Sequence, residues 1–253
     1  SEKVKIVTVD GVQGATTPSF KGHFDGNGNT ITIDIGNDPD KDFKNRISAF
    51  PNAGDPTITD SASATQTGFK NLTVAGKIVV GTMNGSFETF VDCNNGAYDV
   101  AGFVGKPFGA IKFENCTNTA TIQGLRTIAG IAGCSTLQAP ITLIGCVNKG
   151  DITSYQMSEW KNPGTQDMGN QDDYQYGTGG LIAFATSSVT IESCTNFGDI
   201  TGAVKVGGLV GRVTNYAKSG GKSVLTINNC ANIGKIRSFE YNKFNNYYGN
   251  EKQ

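Results

Sequence analysis

Asp172 and Asp173 are the one adjacent acidic pair in this chain. Paired carboxylates are the working groups of glycoside hydrolysis. One protonates the leaving oxygen, and the other attacks or activates water from about 5–10 Å away. The remaining equipment of such a site is not in the pattern. The single histidine, His23, lies far upstream, and Lys235-Ile236-Arg237 reverses the Arg-x-Lys order that acidic-polysaccharide hydrolases add. Asp151, Asp199 and Lys235 fall at equivalent positions of a repeat and read as a solvated column, not a lyase site. Asp25 to Asn29, DGNGN, begins like a calcium loop, but Thr30 and Gly36 stand where an EF-hand needs Gly and Glu. A tight turn is the expected structure. No GxxxxGK[ST] loop, GxSxG elbow or CxxC pair occurs. The expectation is a chain without catalytic residues, metal site or cofactor.

One segment does carry recognition chemistry. Residues 155–178, YQMSEWKNPGTQDMGNQDDYQYGT, contain the only tryptophan, Trp160, with Tyr155, Tyr174, Tyr176, Asp172 and Asp173. Aromatic rings stack on the apolar faces of sugars, and carboxylates bind their hydroxyls. Long loops on a repeat scaffold often carry function. These six residues are the candidate ligand site. The competing reading is that the rings pin the loop to the scaffold.

The scaffold is read from a repeat. CTNTATIQG, CVNKGDITS, CTNFGDITG and CANIGKIRS begin at Cys116, Cys146, Cys194 and Cys230, at intervals of 30, 48 and 36 residues. The longer intervals are a repeat plus an inserted loop. Each copy holds three short runs, of the VTIESC, GDITG and GGLVG types. All are rich in Val, Ile and Thr and broken by Gly or Asn, as strands are. No ten-residue apolar stripe of helical period appears. A degenerate copy is read at 90–105, around Cys93.

A period near 30 with three short strands predicts an all-β, right-handed parallel β-helix. Each strand pairs with its equivalent one repeat along, about 4.8 Å away. Cys116, Cys146, Cys194 and Cys230 then stack as buried thiols, not disulfides. Asn118, Asn148, Asn196 and Asn232 form an amide ladder at a bend, where asparagine accepts left-handed backbone. The whole chain reads as one β-helix domain. Residues 1–67 are an N-terminal cap with irregular first repeats, led by an alternating strand at Lys3–Val9. Residues 68–238 are the regular repeats. Residues 239–253 are a C-terminal cap or the start of a further one.

GGLVG, AGFVG, AGIAG and GGLIAF, alternating with N-C-x-N-x-G-x-I, resemble the GLUG-type repeats of bacterial cell-surface and secreted proteins. FKGHFDGNGNTI is similar to the segment that often opens such arrays, with Asn29 where His is usual. The resemblance covers roughly residues 20–35 and 68–238. It implies an extracellular or cell-surface setting and membership of a larger multidomain protein. It implies no particular activity.

Composition limits the partners. Net charge is −1 over 253 residues, which gives no electrostatic case for nucleic acid. No apolar run approaches the roughly 18 residues of a membrane helix. The expected partner is a glycan or a host or cell-surface protein. The alternatives are a structural stalk that displays another domain, and a polysaccharide lyase or glycosidase.

Overall fold

The computed structural model describes residues 18–36, 45–80, 97–124, 127–135, 139–154, 177–202, 205–214 and 223–238. Among them every element is a β-strand and every pairing is parallel. The strands form four sheets. In each sheet a strand pairs with the same strand of the next repeat, an arrangement compatible with a β-helix.

The first sheet stacks His23–Asp25, Thr67–Lys70, Ile111–Glu114, Ile141–Ile144, Val189–Glu192 and Leu225–Asn228. Alternation decides which side faces in. Ile141 and Leu143 are buried and Thr142 is not, which is the period of a half-buried strand. In-register pairing then stacks like on like. Ile111, Ile141, Val189 and Leu225 form one column; Phe113, Leu143, Ile191 and Ile227 form the next.

The second sheet holds ten strands. In the first two repeats it is built from unbroken strands, Thr30–Ile35 and Thr73–Val79. In the later four the same line is split. Thr117–Asn118 precedes Thr121–Gly124, Val147–Asn148 precedes Ile152–Ser154, Thr195–Asn196 precedes Ile200–Gly202, and Ala231–Asn232 precedes Ile236–Ser238. The column that marks the split runs Ile31, Val74, Asn118, Asn148, Asn196, Asn232. An aliphatic residue there leaves the strand straight. Asparagine bends it, because Asn148 Nδ2 donates to the carbonyl of Gly150, two residues on, at 2.8 Å. Just beyond the bend, isoleucine holds one column through all six repeats, from Ile35 and Ile78 to Ile200 and Ile236.

The third sheet is Asn45–Ile47, Ala97–Ala101, Thr127–Ala129, Gly177–Gly179 and Val206–Gly207. The fourth is Phe50–Ala53, Val104–Pro107, Ala132–Cys134, Ile182–Ala185 and Val210–Val213. The GGLVG-type run therefore spans two strands with a bend between them, not one strand as its length suggested. Its large residue, Phe103, Ile131 or Leu181, is fully buried at that bend.

The glycine before that large residue is fixed by the asparagine ladder. A Cβ on Gly130 would sit 2.5 Å from Asn148 Oδ1 and 2.5 Å from the Gly180 carbonyl oxygen. Gly102 faces Asn118 in the same way, Gly180 faces Asn196, and Gly208 faces Asn232. The C-x-N half of each repeat and its G-[FIL] half are thus one packing unit.

Two expectations are corrected. The ladder asparagines are not the left-handed residues. That conformation falls on the residue before each cysteine, Asn115 (φ 51°), Gly145 (φ 62°), Ser193 (φ 53°) and Asn229 (φ 52°), and on Asn71 (φ 52°). The ladder amides must point inward, so the sharp outward turn is made earlier by residues that tolerate it. The degenerate copy aligns only in its second half. Ala97–Ala101 pairs with Thr127–Ala129, but the first-sheet strand of that repeat is Thr67–Lys70, and Leu72 takes the cysteine position. Cys93, the Lys3–Val9 strand and residues 239–253 lie outside the described residues.

Gly130→Ala should lower stability by about 2 kcal/mol, the usual cost of overpacking against backbone that cannot yield. Asn148→Ala should cost about as much, because the Asn118 amide loses its acceptor. Asn232→Ala, at the exposed end, should cost clearly less. Urea denaturation of the three variants checks the order. Equal losses at Asn148 and Asn232 would contradict a buried ladder.

Candidate functional site

Connections from the second sheet to the third differ sharply in length. Residues 125–126 make the link in one repeat and 203–205 in another, whereas 36–44, 80–96 and 155–176 make it in the rest. All these links start from equivalent strand ends and return to equivalent strand starts. Ser154, where the longest one departs, is 2% exposed, and Gly177, where it returns, is buried. Trp160, Tyr155, Tyr174, Tyr176, Asp172 and Asp173 lie within 155–176, outside the described residues. The sequence reading did not connect this insertion with 36–44 and 80–96. The signal was available: aligning DVAGFVG with TIAGIAG puts the 80–96 insertion at the same corner.

Directly after the two earlier insertions stands a cluster of charge. Arg46, Asp99 and Thr127 are successive rungs of the third sheet, and Asn52 and Lys106 are adjacent rungs of the fourth. Asp99 is 6% exposed. Its Oδ2 lies 3.7 Å from Arg46 Nε and 3.6 Å from Lys106 Nζ. Arg46 Nη1 donates to Asn52 Oδ1 at 2.8 Å, and the guanidinium lies over the Phe108 ring at 5.2 Å. Burial pushes the Asp99 carboxyl above its ordinary range, while Lys106 and Arg46 pull it back. One carboxylate between two cations ties adjacent repeats and adjacent sheets together at the foot of the insertions.

The outer acids are engaged with the backbone. Asp151 Oδ1 accepts the Asp199 N–H at 2.9 Å, and Asp199 Oδ1 accepts the Lys235 N–H at 2.9 Å. Arg237 Nη2 is 3.2 Å from Asp199 Oδ2. The column suspected from the sequence is thus a hydrogen-bonded ladder along the bend. Asp25 sits in a tight turn. Its Oδ1 accepts the Asn27 N–H at 2.9 Å and the Asn71 amide at 3.1 Å, and its Oδ2 lies 3.1 Å from Lys70 Nζ. The Asn27 N–H, then Asn71 and Lys70, hold that carboxyl below the usual range. Among the described residues no three His, Cys, Asp or Glu side chains gather as metal ligands. Nor is any described helix long and apolar enough to cross a membrane.

Both sets of ladder residues come together in space. Asn118 donates to Asn148, Asn148 to Asn196 and Asn196 to Asn232, each at 2.7 Å. The Cys146 N–H points at Cys194 Sγ at 3.2 Å, and the Cys194 N–H at Cys230 Sγ at 3.4 Å. Cys116, Cys134, Cys146 and Cys194 are buried free thiols, and Cys230 is partly exposed. Burial, then the neighbouring Cys116, raises Cys146. Its hydrogen-bonded neighbour Cys146, then burial, raises Cys194. Thiols held protonated and out of solvent are poor nucleophiles. No family model matches the chain, and neither does a curated protein or a solved structure.

Under native conditions a thiol reagent should label Cys230 well before Cys116, Cys146 or Cys194, which should react only on unfolding. Mass spectrometry of peptides after timed labelling gives the order. Rapid native labelling of Cys146 would contradict the ladder.

A second expectation concerns acid. Thr57 hydroxyl and N–H, then Lys21, hold the Asp55 carboxyl down at about 2. A folded value below the unfolded one adds stability above about pH 4 and loses it as pH falls toward 2. Asp55→Asn should flatten that part of the acid limb in a pH series of thermal melts. An unchanged limb would show that Asp55 does not report on folding.

Proposed function

We propose that this chain is a non-catalytic ligand-binding module of a bacterial cell surface. In this reading it is a right-handed parallel β-helix whose insertions present the binding groups. The handedness follows the strong preference of crossovers between parallel strands. One observation carries the reading. Connections 36–44, 80–96 and 155–176 are all anchored at the same corner of successive repeats, while the other strand junctions of the second sheet stay tight. A scaffold that lengthens its links at one corner, three times, concentrates variable residues there. The 155–176 link supplies Trp160, Tyr155, Tyr174, Tyr176, Asp172 and Asp173, which suit a glycan. The resemblance to GLUG-type repeats supports the extracellular setting.

The described acids do not favour a lyase or glycosidase. Asp151 and Asp199 accept backbone N–H groups and Asp99 faces two cations, so none stands free opposite a second carboxylate. A stalk that displays another domain is the second reading. It is favoured by the last described repeat, whose apolar residues are uncovered.

Binding of the full chain to a glycan array tests the proposal, with Trp160→Ala as the paired variant. The expected result is selective binding by the wild type and its loss, by roughly tenfold or more, in a variant with an unchanged melting curve. A silent array, or binding indifferent to Trp160, would overturn the glycan reading in favour of the stalk.

A further inference from the structure

The last described repeat, Leu225 to Ser238, has the composition of an interior repeat and the exposure of a surface. Val189, Ile191 and Ile200 are fully buried, whereas the residues one rung on, Leu225, Ile227 and Ile236, are 45%, 43% and 51% exposed. Each earlier repeat also donates in the direction of the next. The N–H groups of Val189, Ser193 and Ile200 reach the carbonyls of Val224, Asn228 and Lys235. The Cys194 N–H reaches Cys230 Sγ, and the Asn196 amide reaches Asn232 Oδ1. Among the described residues nothing accepts from the equivalent donors: the N–H groups of Leu225, Asn229, Cys230 and Ile236 and the second hydrogen of Asn232 Nδ2. Its first hydrogen goes to the Gly234 carbonyl at 2.8 Å.

The requirements of this face are therefore specific. It needs aliphatic side chains over Leu225, Ile227 and Ile236, a sulfur over Cys230 and a carboxamide oxygen over Asn232. They must arrive in parallel register about 4.8 Å away. A strand pair of the Cys-x-Asn-x-Gly-x-Ile type meets all of them. The opposite end of a second copy does not. Its first repeat carries Ile31 in the asparagine column, and no cysteine lies between residues 18 and 36. Residues 239–253 contain no cysteine either.

We propose that this end face is a docking surface for a Cys-x-Asn repeat carried by another polypeptide, which adds its strands in parallel to Leu225–Asn228, Ala231–Asn232 and Ile236–Ser238. Unpaired edges with an apolar flank are where strand addition occurs. The asparagine column supplies selectivity, because a strand without the amide oxygen leaves Asn232 unpaired. This inference rests on the stacking of the repeats and not on the glycan reading, so either can fail without the other.

The test uses the full chain under reducing conditions and a fluorescent peptide of residues 189–202, VTIESCTNFGDITG, with fluorescence anisotropy as the readout. Saturable binding is expected. It should weaken roughly tenfold when the peptide's asparagine becomes alanine. It should vanish in the Ile227→Asp/Ile236→Asp chain, whose fold is checked by its melting curve. Hydrogen exchange keeps the test independent of those substitutions, since amides of Leu225–Ser238 should gain protection in the wild type with peptide. Absence of saturable binding overturns the proposal. So does equal binding of the asparagine and alanine peptides, which would mean simple apolar adhesion. Concentration-dependent self-association of the chain that disappears in the double variant would also overturn it, by making a second copy the occupant.

Discussion

A carboxamide buried without partners is costly, and this fold buries three with no solvent exposure at all: Asn118, Asn148 and Asn196. Each is affordable only because its neighbours stand one strand spacing away in register. One N–H closes the bend of its own repeat and the other reaches the next asparagine. A slip of one residue would turn the amides outward and the threonines in. The ladder therefore fixes register through the second sheet. It also reaches across to the third and fourth sheets, since only glycine fits beside it at 102, 130, 180 and 208.

That constraint explains where the chain varies. Strand residues that face inward repeat almost by type: isoleucine in six rungs, cysteine in four, asparagine in four. The links between sheets face no such demand. Their ends are held close by paired strands, so a link of 22 residues at 155–176 costs little more in closure entropy than a moderate one. Outside the core, polar side chains mostly serve the backbone. Asp151 and Asp199 extend the ladder idea to the surface, and Asp99 ties Arg46 and Lys106 across two sheets. The cysteines, chemically the most reactive residues of the repeat, are placed where they cannot react. Their Sγ atoms accept backbone N–H groups and donate to carbonyls such as those of Phe113 and Ile144.

The open end follows from the same physics. A ladder has no natural last rung, because each repeat satisfies the one before it and creates the same need in itself. Leu225, Ile227, Cys230 and Asn232 display that need. The first described repeats are different. Phe20, Phe24, Phe50 and Phe69 pack there with ring centroids 4.7–5.5 Å apart, and Ile31 ends the amide column in a hydrocarbon.

The spacing of Cys116, Cys146, Cys194 and Cys230, and the Val/Ile/Thr runs around them, determined the strands, the repeat and the parallel stacking of like residues. Periodicity is written along the chain, so these features need no knowledge of distant contacts. Asn118 could be read as a ladder residue for the same reason. Its inward direction could not, because whether Asn118 or Asn115 takes the left-handed turn depends on which amide finds a partner inside. The split of GGLVG into two strands, the glycine pressed against each amide, and the meeting of Arg46 with Asp99 and Lys106 were decided only by the tertiary structure. Each is a contact between residues far apart in sequence or on different sheets, and no local propensity encodes its distance.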